Sequence, residues 1–123
     1  MVVDELKQLF ESYERALIGN DVPSLEAFFW QSPTAVRLGP TENLFGSDEI
    51  NQFRRNRSSV GLQREVTRVE YIVLDDDHGV INVCFLRQFR GAERSGRQTQ
   101  VWKRFPDLGW KIVSAHVSFL EES

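Results

Sequence analysis

Two predicted helices carry polar side chains on the stripe that should face a hydrophobic core. The stripe of the first helix consists of Leu6, Leu9, Phe10, Tyr13 and Leu17. The stripe of a later helix consists of Ile50, Phe53, Arg54 and Arg57. Because residues at this spacing share one helix face, Tyr13 and both arginines are predicted to point inward. Burying such groups is unfavourable unless they line a wet, charged cavity, so the pattern predicts a pocket for a small anion.

A further polar group, Arg37, falls in the short predicted strand 34–38. Side chains alternate along a strand, so Arg37 faces away from Val36 and Leu38. Small neighbours give it room to reach into a cavity, where a guanidinium group can bind a carboxylate or polarise a carbonyl. A simple ion pair with Glu42 or with an acidic surface residue is the alternative. In the pocket interpretation, Glu42 orients one of the arginines.

Length and charge limit the class of protein. The 123 residues, 41% of them hydrophobic, suit a single domain over residues 1–123. A net charge of −3, with no long basic run, argues against a nucleic-acid partner. No apolar run approaches the ~18 residues of a membrane span, and Asp4 and Glu5 stand where a signal peptide would be basic. We therefore expect a soluble cytoplasmic protein with no membrane partner.

Hydrophobic periodicity predicts helices first and long strands afterwards. The predicted helices are 3–19, a short one capped by Asp21, and 48–57 capped by Ser47; the long strands are 63–74, a strand ending near Phe89, 97–105 after a loop at 91–96, and 110–120. This order predicts an α+β fold, with the helices on one face of a curved, mainly antiparallel sheet. Such a sheet encloses a cone whose open end lies beside Tyr13, Arg37 and the third helix.

Two of the long strands carry polar residues at alternate positions. On strand 97–105, Gln100 is the residue that we most expect to hydrogen-bond a ligand. On the last strand, His116 is in register with Ser114 and Ser118. Their shared face suits a cavity lining that includes His116, but it suits a solvent or dimer face equally well.

The sequence gives little indication of metal binding, of a reactive cysteine or of cofactor binding. The run Asp75-Asp76-Asp77-His78 is interpreted as a tight turn and not as a metal site, because the two histidines of the chain stand far apart. Cys84 lies within an apolar strand, which predicts a buried structural thiol. The sequence has no Gly-x-Ser-x-Gly elbow, phosphate loop or dinucleotide fingerprint, so we expect neither a cofactor nor a nucleophilic serine.

Several stretches together resemble one known family. They are YERAL (13–17), ND (20–21), FW (29–30), VRLG (36–39), ENLFG (42–46), FRRNR (53–57), GRQTQVWKRFP (96–106) and GWKIVSAHVS (109–118). In residue type and spacing they resemble the AtzH-like family, which includes the HpxZ proteins of oxalurate catabolism. That family lies within the nuclear transport factor 2-like superfamily (also called cystatin-like or SnoaL-like) of conical α+β proteins.

The resemblance implies a metal-free homodimer that acts on small ureido or carboxyurea anions. The AtzH member is an amidohydrolase that decarboxylates 1,3-dicarboxyurea to allophanate, and a tyrosine and an arginine are implicated in its catalysis. By motif, these two residues fall on Tyr13 and Arg37 of this chain.

The leading hypothesis is therefore a hydrolase of a ureido acid. Arg37, helped by Arg54, would bind the substrate carboxylate, Tyr13 would protonate the leaving nitrogen, and water would be the nucleophile. For Arg54 and Arg57, a solvated helix face is the alternative. One rival hypothesis is a non-catalytic protein that holds an oxalurate-like ligand or assists an amidase. Another is a dimerisation module whose pocket is filled by its own side chains.

Overall fold

A computed structural model describes residues 1–121 of the chain. Within these residues the elements are α1 (Val2–Ile18), α2 (Val22–Phe28), β1 (Val36–Leu38), β2 (Asn43–Phe45), α3 (Ser47–Asn56), β3 (Glu65–Asp75), β4 (His78–Phe89), β5 (Ala92–Phe105) and β6 (Gly109–Phe119). The strands form one curved sheet in the order β2-β1-β6-β5-β4-β3. β1 runs parallel to β6, and the other neighbouring strands are antiparallel. The predicted α+β fold is confirmed.

The capping residue predicted from the sequence is correct for α2 and wrong for α3. Asp21 caps α2 as predicted, because its carboxylate accepts a hydrogen bond from the backbone N–H of Ser24 at 3.3 Å. The prediction that Ser47 caps α3 is wrong, since the capping position is Gly46 and Ser47 is already helical. Gly46 has φ of +87°, a conformation that glycine adopts without the penalty of a side chain.

The reversal between β4 and β5 is much tighter than predicted. Arg90 and Gly91 have φ of +53° and +81°, and β5 already begins at Ala92. Two consecutive residues with positive φ are typical of the turns that join two-residue hairpins. The prediction of a loop over residues 91–96 is therefore wrong, because those residues pair with β4 almost from the turn onward.

The core lies between α1, α2 and the inner face of the sheet. Leu6 of α1, Leu25 of α2, and Trp102 and Ile112 of the sheet are all fully buried. Cys84 is exposed, so the prediction of a buried thiol is wrong. Along β4 the buried side chains are at odd positions such as Val83 and Phe85, which leaves Cys84 on the outer face of the sheet. In residues 1–121 no helix is both long enough and apolar enough to cross a membrane.

Candidate functional site

Tyr13 of α1 and Arg54 of α3 meet in the interior of the protein. Nη2 of Arg54 donates a hydrogen bond of 3.3 Å to the Tyr13 hydroxyl, and both side chains are fully buried. The Arg54 guanidinium also lies over the ring of Phe29, 5.1 Å from its centroid. The helical spacing that pointed both polar residues inward thus brings them into direct contact.

The surroundings of Tyr13 change its acidity. Burial alone would raise the pKa of the phenol, because a phenolate loses its hydration there. The positive charges of Arg54 and Arg37, the hydrogen bond from Arg54 and the more distant charge of Arg64 act in the opposite direction and prevail. The result is a pKa lowered from 10.0 to about 8. A group that titrates so near neutral pH can both give and take a proton.

Arg37 is held from two sides. Its Nη1 donates a hydrogen bond of 3.0 Å to Oε1 of Glu42, and its guanidinium lies 5.3 Å from the ring centroid of Phe53. Glu42 is fixed in turn by Thr41, whose backbone N–H and hydroxyl both donate to Oε2. Burial and the charge of Arg54 lower the pKa of Arg37, while Tyr13 and Glu42 act against that lowering. The ion pair between Arg37 and Glu42 is therefore present, and it fits both the orienting role expected of Glu42 and the simple ion pair named as the alternative for Arg37.

Arg57 lies near the same aromatic ring. Its guanidinium is 5.7 Å from the centroid of Phe53, so this single ring is in contact with two positive groups. Partial burial, followed by the charges of Arg54 and Arg37, lowers the pKa of Arg57 to about 10. The arginines of the site therefore lie close enough to repel one another.

Many donors of this cluster have no hydrogen-bond partner among residues 1–121. These buried atoms are Nε of Arg37, Nε and Nη1 of Arg54, Nε and Nη2 of Arg57, and Nε2 of Gln100. Aromatic faces attract the guanidinium groups without accepting their N–H bonds in the plane of the group. The rings of Phe29 and Phe53 thus contact the arginines without using their in-plane donors, an arrangement whose chemistry suits an anion.

Gln100 belongs to the same interior surface. It is fully buried on β5, and its side-chain oxygen accepts a hydrogen bond of 3.0 Å from Nε1 of Trp102. Trp102 and Tyr13 pack edge to face on the same intermediate ring, that of Phe28, with centroid separations of 6.2 and 5.8 Å. Gln100 is therefore connected to the tyrosine through a short chain of aromatic contacts.

His116 does not join this cluster. Its side chain is exposed, whereas its neighbours Ala115 and Val117 on β6 are buried. The pairing of β5 with β6 shifts by one residue at Val113, and this bulge reverses the alternation of side chains before it. Ile112 therefore shares the inner face with Ala115, while His116 lies apart from the cluster, in the lining of a separate surface pocket. The role of His116 in ligand binding stays a prediction. The other interpretation of this face, as a solvent or dimer face, fits its exposure.

Sequence reasoning missed one partly buried ion pair next to the site. Both Nε and Nη2 of Arg64 contact the carboxylate of Glu14, and Nη2 also donates a hydrogen bond of 3.0 Å to Oε1 of Gln98. The Arg64 guanidinium lies 4.4 Å from the ring centroid of Phe85. Glu14 follows Tyr13 directly but lies off the apolar stripe, and the two partners are 50 positions apart. Glu14 neutralises this arginine, which distinguishes it from Arg54.

A surface groove of about 640 Å³ runs along α3 toward the cluster. Its lining consists of Leu44, Asp48, Glu49, Gln52, Phe53, Asn56 and Arg57. Phe53 and Arg57 belong to both the groove and the buried cluster, so they form the boundary between solvent and the interior arginines. In the part of the chain that the structure describes, no group of three or more His, Cys, Asp or Glu residues could hold a metal ion. The acidic run at residues 75–78 forms the turn between β3 and β4.

Comparison with known proteins gives both a family and a fold. The family model described as AtzH-like matches residues 1–123. A crystal structure of a protein of unknown function from Pectobacterium atrosepticum is 40% identical with a TM-score of 0.91, over 98% of this chain and 91% of that one. A cystatin-like fold protein from Burkholderia xenovorans is 33% identical with a TM-score of 0.90, over 99% of this chain and 94% of that one.

More distant structures share the fold alone. A nuclear transport factor 2-like superfamily protein from Salmonella enterica is 21% identical with a TM-score of 0.80, over 99% of this chain and 93% of that one. The expected nuclear transport factor 2-like fold is thereby confirmed. No match was found among curated proteins.

Proposed function

The chain belongs to the AtzH-like family, and on that premise we propose that it is an amidohydrolase of a small ureido or N-carboxyurea acid. The observation that carries the proposal is the buried contact between Tyr13 and Arg54 beside arginines with unpartnered donors. Hydrolysis of a C–N bond in an anionic substrate can use both kinds of group: a phenol that exchanges a proton, and guanidinium donors that bind the negative charge.

The charges of the site favour a ligand with two negative charges. Arg37, Arg54 and Arg57 are offset by one carboxylate, that of Glu42, which leaves about two positive charges. Of the compounds that the family resemblance suggests, 1,3-dicarboxyurea carries two carboxylates, whereas oxalurate and allophanate carry one each. The charge count therefore supports the dicarboxylate as substrate.

The reaction can be written with the residues of the site in defined roles. The arginines bind the two carboxylates and hold the substrate in place. A water molecule attacks the carbon of one N-carboxylate, the C–N bond breaks, and the nitrogen takes a proton from the Tyr13 hydroxyl. The Tyr13 phenolate, stabilised by Arg54, then recovers a proton from the attacking water. The products are allophanate and bicarbonate.

Entry and assembly complete the proposal. The substrate would enter along the groove on α3 and pass between Phe53 and Arg57, which line both the groove and the cluster. The protein would act as a homodimer, as the family resemblance implies. Measuring its molar mass in solution by light scattering tests that part directly.

The unpartnered donors also favour a second candidate function. A protein that only binds a small anion needs the arginines and Gln100 but makes no use of the lowered pKa of Tyr13. Such a protein would serve as a non-catalytic accessory in the catabolism of oxalurate or another urea derivative. Turnover separates the two candidates.

The experiment is an assay of purified protein with 1,3-dicarboxyurea, oxalurate and allophanate, following bicarbonate and ammonia. We expect turnover of the dicarboxylate, lost in Arg37→Ala and in Tyr13→Phe. Arg55→Ala is the matched control, because Arg55 is also on α3 but is exposed and pairs with Glu26. No turnover in the wild type, together with thermal stabilisation by one compound, would establish the binding protein instead.

A further inference from the structure

The amide of Gln100 has only one orientation that its neighbour allows. Its contact at 3.0 Å is with Nε1 of Trp102, and an indole N–H can donate a hydrogen bond but cannot accept one. The atom of Gln100 that faces the indole must therefore be the oxygen, whichever way the amide is drawn. The amide nitrogen then points away from Trp102, where it has no partner among residues 1–121 although it is buried.

Strand register places Gln100 and Arg37 in one row. Ala115 of β6 pairs with Gln100 on β5 and also with Arg37 on β1. All three side chains are buried, with exposed fractions of 0% for Gln100, 3% for Ala115 and 6% for Arg37. Neighbouring strands lie about 4.8 Å apart, so the backbones of Arg37 and Gln100 are separated by roughly 10 Å. Ala115 is the residue between them in this row, and its side chain is small.

This row places a positively charged donor, Arg37, and a neutral donor, Gln100, on either side of the small residue Ala115. A guanidinium group suits a carboxylate, whereas a neutral amide N–H₂ suits a carbonyl oxygen that carries no full charge. In a dicarboxyurea the carbonyl oxygen lies at the centre of the molecule, between its two carboxylates. The neutral donor of Gln100 thus corresponds to the central oxygen and the arginines to the ends.

We propose that Gln100 binds the central carbonyl oxygen of the ligand and that Trp102 is the positioning residue that fixes its amide as a donor. The inference rests on the proposed function for the charge of the ligand. It adds a specificity: the site selects dicarboxylates that carry an acceptor at their centre over those that do not. A buried donor left without an acceptor is unfavourable, which is the physical basis of the selection.

Two dicarboxylates of equal length test this specificity without turnover. 3-Oxoglutarate has the carbon and oxygen framework of 1,3-dicarboxyurea with CH₂ in place of NH, and glutarate lacks only its central oxygen. We expect calorimetry to show about tenfold tighter binding of 3-oxoglutarate to the wild type, the size of one good hydrogen bond. Equal affinities, or failure of both compounds to bind, would overturn the inference.

Variants at Gln100 and Trp102 separate positioning from structure. Gln100→Met keeps the size of the side chain and should abolish the preference for 3-oxoglutarate over glutarate. Trp102→Phe frees the amide to rotate and should reduce the preference, with melting temperature and glutarate affinity as controls for the fold. A preference that survives in Gln100→Met would refute the role of Gln100, and one unchanged in Trp102→Phe would refute that of Trp102.

The same measurements distinguish this inference from the proposed function. If glutarate binding is lost in Arg54→Gln but the wild type shows no preference for 3-oxoglutarate, the result supports the anion site and refutes the role of Gln100. If 1,3-dicarboxyurea is turned over and Gln100→Met leaves kcat/KM unchanged, the hydrolase stands and the inference again falls. A preference for 3-oxoglutarate in a protein without turnover would keep the specificity and refute the hydrolase.

Discussion

Arg54 donates a hydrogen bond to the hydroxyl of Tyr13 over 3.3 Å, and neither side chain has any exposed surface. The proton of the phenol and the charge of the guanidinium are therefore coupled in a region where water does not screen them. A change at Arg54 has to appear in the titration of Tyr13, and protonation of Tyr13 has to appear in anion binding.

Replacing Arg54 by Met should raise the pKa of Tyr13 from about 8, because the charge and the hydrogen bond of Arg54 no longer oppose the effect of burial. The chain has two tyrosines, so a Tyr71→Phe background leaves Tyr13 as the single phenol, and its phenolate absorbance can be followed against pH. Arg55→Met is the matched control and should leave the titration unchanged. A pKa that stays near 8 without Arg54 would disprove the coupling.

Stability should rise with pH in the window set by Tyr13. Its pKa in the folded protein, about 8, is below the value near 10 of an unfolded chain, so the folded state releases its proton first. The free energy of unfolding, relative to Tyr13→Phe, should therefore increase by about 2 kcal/mol between pH 8 and pH 10. As pH falls through about 8 that contribution is lost. Urea unfolding of both proteins at several pH values measures the difference, and a difference independent of pH would contradict it.

The rate of hydrolysis should depend on pH in the opposite direction. Tyr13 acts as an acid in the proposed reaction, so kcat/KM for 1,3-dicarboxyurea should fall as pH rises through about 8, approaching tenfold per unit above it. An initial-rate profile from pH 6 to 9.5 provides the measurement. A rate that increases through this range would assign Tyr13 the role of a base.

Loss of the Phe53 ring should weaken anion binding without unfolding the protein. Phe53 contacts the guanidinium groups of Arg37 and Arg57 and is itself only partly buried. We expect Phe53→Leu to bind glutarate about tenfold more weakly, since each such contact contributes roughly 0.5 to 2 kcal/mol. Phe53→Tyr retains the ring and is the control. Full affinity in the leucine variant would show that the ring is not what positions the arginines.

A methyl group at residue 39 should disturb the site through Glu42. A Cβ on Gly39 would overlap the carboxylate of Glu42, which is the partner of Arg37. In Gly39→Ala we expect glutarate to bind several-fold more tightly, because one compensating negative charge moves away. The free energy of unfolding should fall by roughly 1 to 3 kcal/mol. Glu42→Gln should reproduce both effects, and unchanged affinity in both variants would contradict the charge argument.

The sequence predicted which side chains of the site point inward wherever the regular geometry of a helix or strand sets the direction of the side chain. Helical spacing fixed Tyr13 and Arg54, and strand alternation fixed Arg37, because these periods hold inside regular elements. The position of His116 outside the cluster follows from a bulge at Val113, which depends on how β5 and β6 pair and cannot be recognised in either strand alone. The pair of Arg64 and Glu14 could not be predicted for a similar reason, because the two residues are far apart in sequence and meet only in the folded chain.

Rules of local conformation explain the remaining differences in the fold. Ser47 is a good capping residue by type, but Gly46 adopts the positive φ that the chain needs before α3, so the helix starts one residue earlier. Polar composition suggested a loop over residues 91–96, yet these residues form part of a strand with mixed exposure. Polar side chains on the exposed face of a strand are compatible with strand formation.

Arginines held by aromatic rings make the protein responsive to the salts around it. Each unneutralised guanidinium group raises the free energy of the interior, and any small anion that reaches it lowers that energy again. Phosphate, sulfate and citrate should therefore stabilise the protein in proportion to their charge and fit, whereas chloride should do so weakly. A series of melting curves in different buffers would act as a first chemical probe of the ligand, before any substrate is tried.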